Sequence, residues 1–256
     1  MNRNPNWTEE ELKMAINVYC KIPFKSTRKS SPEIIRWAKI IGRSPGALYT
    51  KICNLGHFDK SMQEVGIGGL SHAGKLDAEV WAEFENNPEA VIYESEKLIA
   101  DRMGRNLEAE VVEESLKLPE GQTKEVVVRR RVNQKFFREA VLTAYDNKCC
   151  ITGLATPSLL EACHISSWKD DIQNRTNPKN GLCMTVTFHR AYDKYLMAIT
   201  PDYSIIVSNQ LIDETKDEDF RTYLLGLHGR KIHMPDKFLP AKEFLAIHYD
   251  EYKRCT

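Results

Sequence analysis

The chain has 256 residues, which is enough for one large domain or two modest ones. Its 36 basic and 36 acidic residues give a formal net charge of zero, which argues against a protein that is basic over its whole surface. No apolar run is long enough to span a membrane and the first residues are unlike a signal peptide, so we expect a cytoplasmic protein without membrane contact.

The first predicted element is an amphipathic helix within residues 7–22. Thr8 and Glu11 have the spacing of a capping box, in which each side chain binds the backbone of the other residue. Leu12 and Ile16 follow at helical spacing on one face. The pattern therefore predicts both the start and the buried face of this helix.

Residues 32–55 predict two helices around a tight turn. Ala38, Gly42 and Leu48 have the spacing of a helix-turn-helix, where a small residue allows close approach, glycine forms the turn and leucine packs the second helix back. We expect the second helix to begin near Ser44. A plain three-helix scaffold or a protein-binding module is the alternative interpretation.

Basic and polar residues around that second helix predict DNA contact. Arg43 precedes the helix, and Tyr49 and Lys51 lie within it. A helix of this kind presents such side chains to a DNA groove and its phosphates. We therefore predict that Arg43, Tyr49 and Lys51 bind DNA.

An acidic stretch that ends in LPEGQTKE predicts a linker over residues 104–125. It would separate a helical N-terminal region, residues 1–103, from a C-terminal domain, residues 126–256. At the start of that domain, VVVRRRV is interpreted as a strand end or a phosphate-binding patch. Asn133 is expected to cap the helix that follows.

The seven cysteines include no CxxC pair. A zinc site made of four cysteines is therefore not expected. Reduced cysteines, as in other cytoplasmic proteins, are the preferred interpretation.

Polar residues occupy a few separated positions between residues 164 and 193. His164 ends the apolar run LLEACHI, Asn180 lies in NPKNGL, and HRAYDKYL begins with His189. Residues four apart share one face of a helix, so His189 and Asp193 would present a nitrogen and an oxygen ligand to one divalent cation. The predicted order is strand, loop, strand and helix.

This order of residues resembles the HNH nuclease family, whose fold is a β-hairpin and a helix around one metal ion. The likeness covers about residues 132–211 and is greatest to the HNH branch found among bacterial restriction endonucleases. It implies an α+β protein in which a helical N-terminal region, with its helix-turn-helix-like unit, precedes a C-terminal ββα-metal domain.

The resemblance also implies roles for individual residues. His164 matches the general base that activates water, Asn180 the residue that holds the loop, and His189 a metal ligand. Asp193 matches a further ligand one helical turn on. Arg175, between the two strands, is expected to bind a phosphate as a planar donor.

The function that follows is a metal-dependent DNA endonuclease that restricts foreign or modified DNA. Magnesium or manganese is the expected ion, because the carboxylate of Asp193 is a hard ligand. A homodimer is expected, since cleavage of both strands by a protein with one site usually requires two copies.

Cys163 departs from the family pattern, because many HNH enzymes have a histidine or aspartate ligand directly before the base. A thiolate is a soft ligand and suits magnesium poorly. Either Cys163 packs as a small buried residue, or Glu161 or water completes the coordination sphere. Packing is the preferred interpretation.

Two alternative functions remain at this point. One is a nuclease effector of an anti-phage signalling system, although GIGGLSHAGK lacks the ending of a phosphate-binding loop. The other is a catalytically inactive DNA-binding regulator with a helix-turn-helix. The intact set of His164, Asn180, His189 and Asp193 argues against it.

Overall fold

The computed structural model describes residues 6–64, 74–107, 109–110, 124–168 and 171–256. Within these residues, eleven α-helices and four short β-strands confirm the predicted α+β class. The chain divides into two compact units, one formed by Met1–Ala140 with Arg175–Asn177 and the other by Val141–Asn174 with Pro178–Thr256. In the described part of the chain, no helix combines the length and apolar character needed to cross a membrane.

The N-terminal unit is built around its first helix. Residues 12–20 of this helix are all buried, and it contacts four of the helices that follow. Its cap is the predicted one, since the Thr8 backbone N–H donates to Glu11 and the Glu11 backbone N–H donates to the Thr8 hydroxyl. In chain order these helices are α1 (Glu9–Lys21), α2 (Pro32–Ile41), α3 (Pro45–Gly56), α4 (Lys60–Glu64), α5 (Lys75–Asn86) and α6 (Pro88–Arg102).

The turn between α2 and α3 has the predicted form. Gly42 follows α2 with φ of 79°, in the left-handed region that favours glycine. Ser44 caps α3 by accepting a hydrogen bond from the Ala47 backbone N–H at 3.2 Å. Ala38 and Leu48 are buried where α2 packs against α3. The two helices and their turn are thus present, while their assignment as a helix-turn-helix and DNA binding by α3 stay predictions.

A single long helix, α7 (Lys124–Ala144), replaces the predicted strand end and helix cap. Asn133 lies in its interior and is buried, so the prediction that it caps a helix is wrong. Val128 and Val132 share one helical face and pack against Tyr93. This burial outweighs the modest helix penalty of β-branched residues.

Most of the predicted linker, residues 111–123, lies outside the described residues. The compact units divide after Ala140, within α7. The predicted boundary between residues 125 and 126 stays a prediction.

The C-terminal unit contains the predicted strand, loop, strand and helix. β1 (Leu160–His164) pairs antiparallel with β2 (Gly181–Thr185), with Leu160 opposite Thr185 and His164 opposite Gly181. α8 (Val186–Asp193) begins directly after β2 and contacts both strands. A second hairpin and three helices complete the unit: β3 (Met197–Ile199), β4 (Ile205–Val207), α9 (Asn209–Glu214), α10 (Glu218–Leu227) and α11 (Lys242–Cys255).

Candidate metal centre

β1 and α8 bring three metal-ligating side chains together. Cys163, His189 and Asp193 each offer an atom within 4.8 Å of the atoms offered by the other two. Among the described residues, no other group of three histidine, cysteine, aspartate or glutamate side chains converges in this way. The cluster forms because α8 starts at the end of β2 and packs back over the hairpin.

His189 and Asp193 lie one helical turn apart, as their spacing predicted. Nε2 of His189 is 3.5 Å from Oδ2 of Asp193. The His189 side chain is 22% exposed and the Asp193 side chain 52% exposed, so the cluster opens to solvent on the carboxylate side. That opening would admit an ion and a substrate phosphate. The assignment of both residues as metal ligands stays a prediction.

Glu161 orients the imidazole of His189. Its Oε2 lies 2.6 Å from Nδ1 of His189. A proton shared at Nδ1 leaves Nε2, on the Asp193 side, with the lone pair that a metal requires. Glu161 and Cys163 are two residues apart on β1 and therefore face the same side of the strand. Glu161 was predicted only as a direct member of the coordination sphere, whereas the structure places it behind the candidate ligand His189.

Cys163 is completely buried, and its thiol donates to the backbone carbonyl of His164 with a sulfur–oxygen distance of 3.5 Å. Burial raises the pKa of this thiol well above its usual value, and the nearby carboxylates of Asp193 and Glu161 raise it further. The packing interpretation accounts for the burial. It does not account for the position of the sulfur atom, which belongs to the same cluster as the side-chain atoms of His189 and Asp193.

His164 follows Cys163 at the end of β1. Successive residues of a strand face opposite sides, which explains why Cys163 joins the metal cluster and His164 does not. The His164 ring meets the ring of Trp168 edge-on, with their centroids 5.3 Å apart. The predicted role of His164 as general base is compatible with this position and stays a prediction.

Asn180 fastens the loop that follows His164. Its Oδ1 accepts a hydrogen bond from the Ser166 backbone N–H at 2.7 Å. Its Nδ2 donates to the backbone carbonyls of Ser166 and Asn174, both at 3.2 Å. The side chain is buried, so these bonds hold the two ends of the loop together. Arg175 lies half-buried in this loop, and its predicted phosphate contact remains untested.

The cations predicted to bind DNA are engaged inside the N-terminal unit. Arg43 donates to the Glu11 carboxylate through Nε at 2.8 Å. Nζ of Lys51 lies 2.7 Å from Oδ1 of Asp77, and the two side chains are only 11% and 4% exposed. Tyr49 is half-buried. A DNA phosphate would compete with these carboxylates, and DNA binding by all three residues stays a prediction.

Comparison with known proteins identifies the segment that contains the cluster. A family model described as HNH endonuclease matches residues 149–200. This range includes both strands of the first hairpin, α8 and β3. No curated protein matches the chain significantly. The family match, together with the hairpin and helix that it covers, shows that the C-terminal unit carries an HNH domain.

Proposed function

We propose that the protein is a metal-dependent DNA endonuclease that hydrolyses phosphodiester bonds at its HNH domain. The observation that carries this proposal is the convergence of Cys163, His189 and Asp193 within the segment matched by the HNH family model. The nuclease assignment follows from the HNH domain.

The donor set fits a divalent metal ion. His189 offers Nε2 and Asp193 offers a carboxylate oxygen 3.5 Å away, on the side of the cluster that is open to solvent. Glu161 keeps the imidazole in the tautomer that a metal ligand needs. We propose magnesium or manganese as the working ion, which would polarise the phosphate and stabilise the leaving oxygen.

The other residues of the site would act on water and on the substrate. His164 would accept a proton from the attacking water. Asn180, through its bonds to Ser166 and Asn174, would keep His164 and its surroundings in position. Arg175, in the loop between the two strands, would donate to a phosphate oxygen of the DNA.

The proposed biological role is restriction of foreign or modified DNA in the cytoplasm. The N-terminal unit would position the DNA, with contacts from Arg43, Tyr49 and Lys51. Two copies would act together, because one HNH site cuts one strand at a time. Sedimentation of the protein with and without DNA measures this directly: a monomer on cleaved duplex DNA contradicts the homodimer.

The deciding experiment incubates the 256-residue protein with unmodified DNA and with DNA that carries modified cytosine, in several divalent metals and in a chelator. We expect cut ends only when a divalent metal is present, and sequencing of the ends gives the site. Binding to DNA without cleavage in every metal would instead support a catalytically inactive regulator.

A further inference from the structure

The clustered ligands belong to two chemical classes that prefer different ions. Asp193 supplies a hard oxygen, which suits magnesium and manganese. Cys163 supplies sulfur, which suits softer ions such as zinc and cobalt. His189 supplies a nitrogen that both classes accept. A site that offers all three can hold a hard ion and a soft ion with different ligands.

We propose that Cys163 is an ion-dependent third ligand of this site, and that its binding to a zinc-class ion inhibits the nuclease. This inference rests on the proposed nuclease function. With magnesium or manganese, His189 and Asp193 are the protein ligands and the Cys163 thiol keeps its hydrogen bond to the His164 carbonyl. With zinc, Cys163 binds as well.

The positions of the three atoms support this assignment. Ligands held by one tetrahedral zinc ion, at about 2.0–2.3 Å from it, lie roughly 3.5 Å from one another. Nε2 of His189 and Oδ2 of Asp193 already have this separation, 3.5 Å. The Cys163 sulfur lies within 4.8 Å of its neighbours in the cluster, so we expect a small movement of these side chains to complete the set.

The binding step balances as an exchange of a proton for the ion. The Cys163 S–H bond breaks, a sulfur–metal bond forms, and the proton passes to solvent. No electrons are transferred. The hydrogen bond from the thiol to the His164 carbonyl, 3.5 Å in length, is lost. That bond is long and involves a weak donor, so its loss costs little. The bond between the thiolate and zinc must also offset the burial and the nearby carboxylates that raise the pKa of the thiol.

The inhibition follows from charge. With Asp193 as its only anionic protein ligand, a divalent ion keeps one net positive charge for the substrate phosphate. With both Asp193 and the Cys163 thiolate bound, the net charge of the ion and these two ligands is zero. A neutral site stabilises the additional negative charge of phosphodiester hydrolysis less well. Zinc should therefore bind more tightly than magnesium and support cleavage less well.

Titration with cobalt tests directly whether the Cys163 sulfur binds the ion, since a thiolate bound to cobalt gives a charge-transfer band in the near ultraviolet. We expect this band when the full-length protein is titrated with cobalt. We expect Cys163→Ser to abolish it and to weaken zinc affinity more than about 100-fold, because even outer partners of metal ligands contribute 10–100-fold. Manganese affinity should change much less.

Control variants distinguish cobalt binding by Cys163 from binding by another cysteine and from loss of the fold. Cys255→Ser changes an exposed cysteine outside the cluster and should keep the band. Cys163→Ala provides a second variant if the serine variant does not fold, and circular dichroism checks both. Absence of the band in the wild-type protein, or its persistence in a folded Cys163 variant, overturns the proposal.

Cleavage measurements complete the test. Zinc should inhibit cleavage supported by magnesium, and Cys163→Ser should raise the zinc concentration needed, relative to the uninhibited rate of each variant. A protein that shows the cobalt band but cleaves no DNA in any metal refutes the proposed function and leaves the ligand assignment standing. A protein that cleaves with magnesium but shows equal zinc inhibition in both variants refutes the inference alone.

Discussion

Glu161 and His164 lie three residues apart on one strand and have different roles in the proposed chemistry. Glu161 reaches Nδ1 of His189 and would act on the metal ion through that imidazole. His164 ends the strand beside the loop that Asn180 closes. Substitutions at the two positions should therefore have separable effects on metal binding and on proton transfer.

His164→Ala should lower the cleavage rate by roughly 100-fold or more while metal and DNA binding persist, because the lost imidazole acts only on the attacking water. His189→Ala should instead weaken metal binding, and excess metal should restore part of its activity. Cleavage rates, manganese titration and DNA-binding assays on both variants check this. Full activity in His164→Ala would show that His164 is not the general base.

Glu161→Ala should weaken manganese affinity about 10–100-fold, since His189 loses the partner that fixes its tautomer. Glu161→Gln keeps an oxygen acceptor for Nδ1 and should recover part of that loss. Calorimetric titration of manganese gives both values. Glu218→Gln, on an exposed side chain of α10, is the control and should leave the affinity unchanged. Unchanged manganese affinity in Glu161→Ala would contradict the orienting role.

His248 predicts a pH-dependent part of the stability. It is buried on the ring of Tyr192 at a centroid distance of 3.6 Å, and burial lowers its pKa from 6.5 to about 4. The unfolded chain therefore binds the proton first, so stability is complete above pH 6.5 and falls as the pH drops towards 4. The loss should approach roughly 3 kcal/mol. Urea unfolding of wild type and His248→Phe checks it: the same acid loss in both contradicts the prediction.

At the scale of elements, short local signals specify the turns. Gly42 ends α2 with a positive φ, and Gly46 lies in the first turn of α3 with open space around it. Gly42 and Gly46 are four residues apart. Gly42 adopts a left-handed backbone conformation, whereas Gly46 lies in a right-handed α-helix. They form a matched pair for testing how the turn between α2 and α3 is stabilised.

Gly42→Ala should lower the free energy of unfolding by about 1 kcal/mol or more, because a side chain is disfavoured in the left-handed region. Gly46→Ala should leave it unchanged or raise it by up to about 1 kcal/mol, since alanine favours helix. Denaturant unfolding of the two variants gives the comparison. Equal effects would show that the turn conformation does not control this part of the stability.

At the scale of the whole molecule, the two compact units suggest a division between positioning DNA and cutting it. A fragment that begins near residue 122 keeps α7 whole and contains the complete HNH domain. It also exposes Val128 and Val132, which pack against Tyr93 in the intact chain. Polar substitutions at these two valines would offset that exposure.

The fragment should fold and retain weak nicking with less selectivity than the full protein. The reason is that phosphate contacts by the N-terminal unit would be absent while the cutting residues remain. Cleavage of a DNA library by both proteins, at one salt concentration, measures selectivity. If the fragment cleaves with the selectivity of the full protein, the division of roles is wrong.

The sequence alone determined the features that depend on neighbouring residues. The Thr8 cap, the Gly42 turn and the pairing of His189 with Asp193 each depend on residues no more than four positions apart, so backbone geometry fixes them. Tertiary structure decided the rest. Burial of Val128 and Val132 made α7 continuous, and packing of α8 on the hairpin placed Glu161 behind His189 and Cys163 beside Asp193. These contacts join residues far apart in the chain, and only the folded packing brings them together.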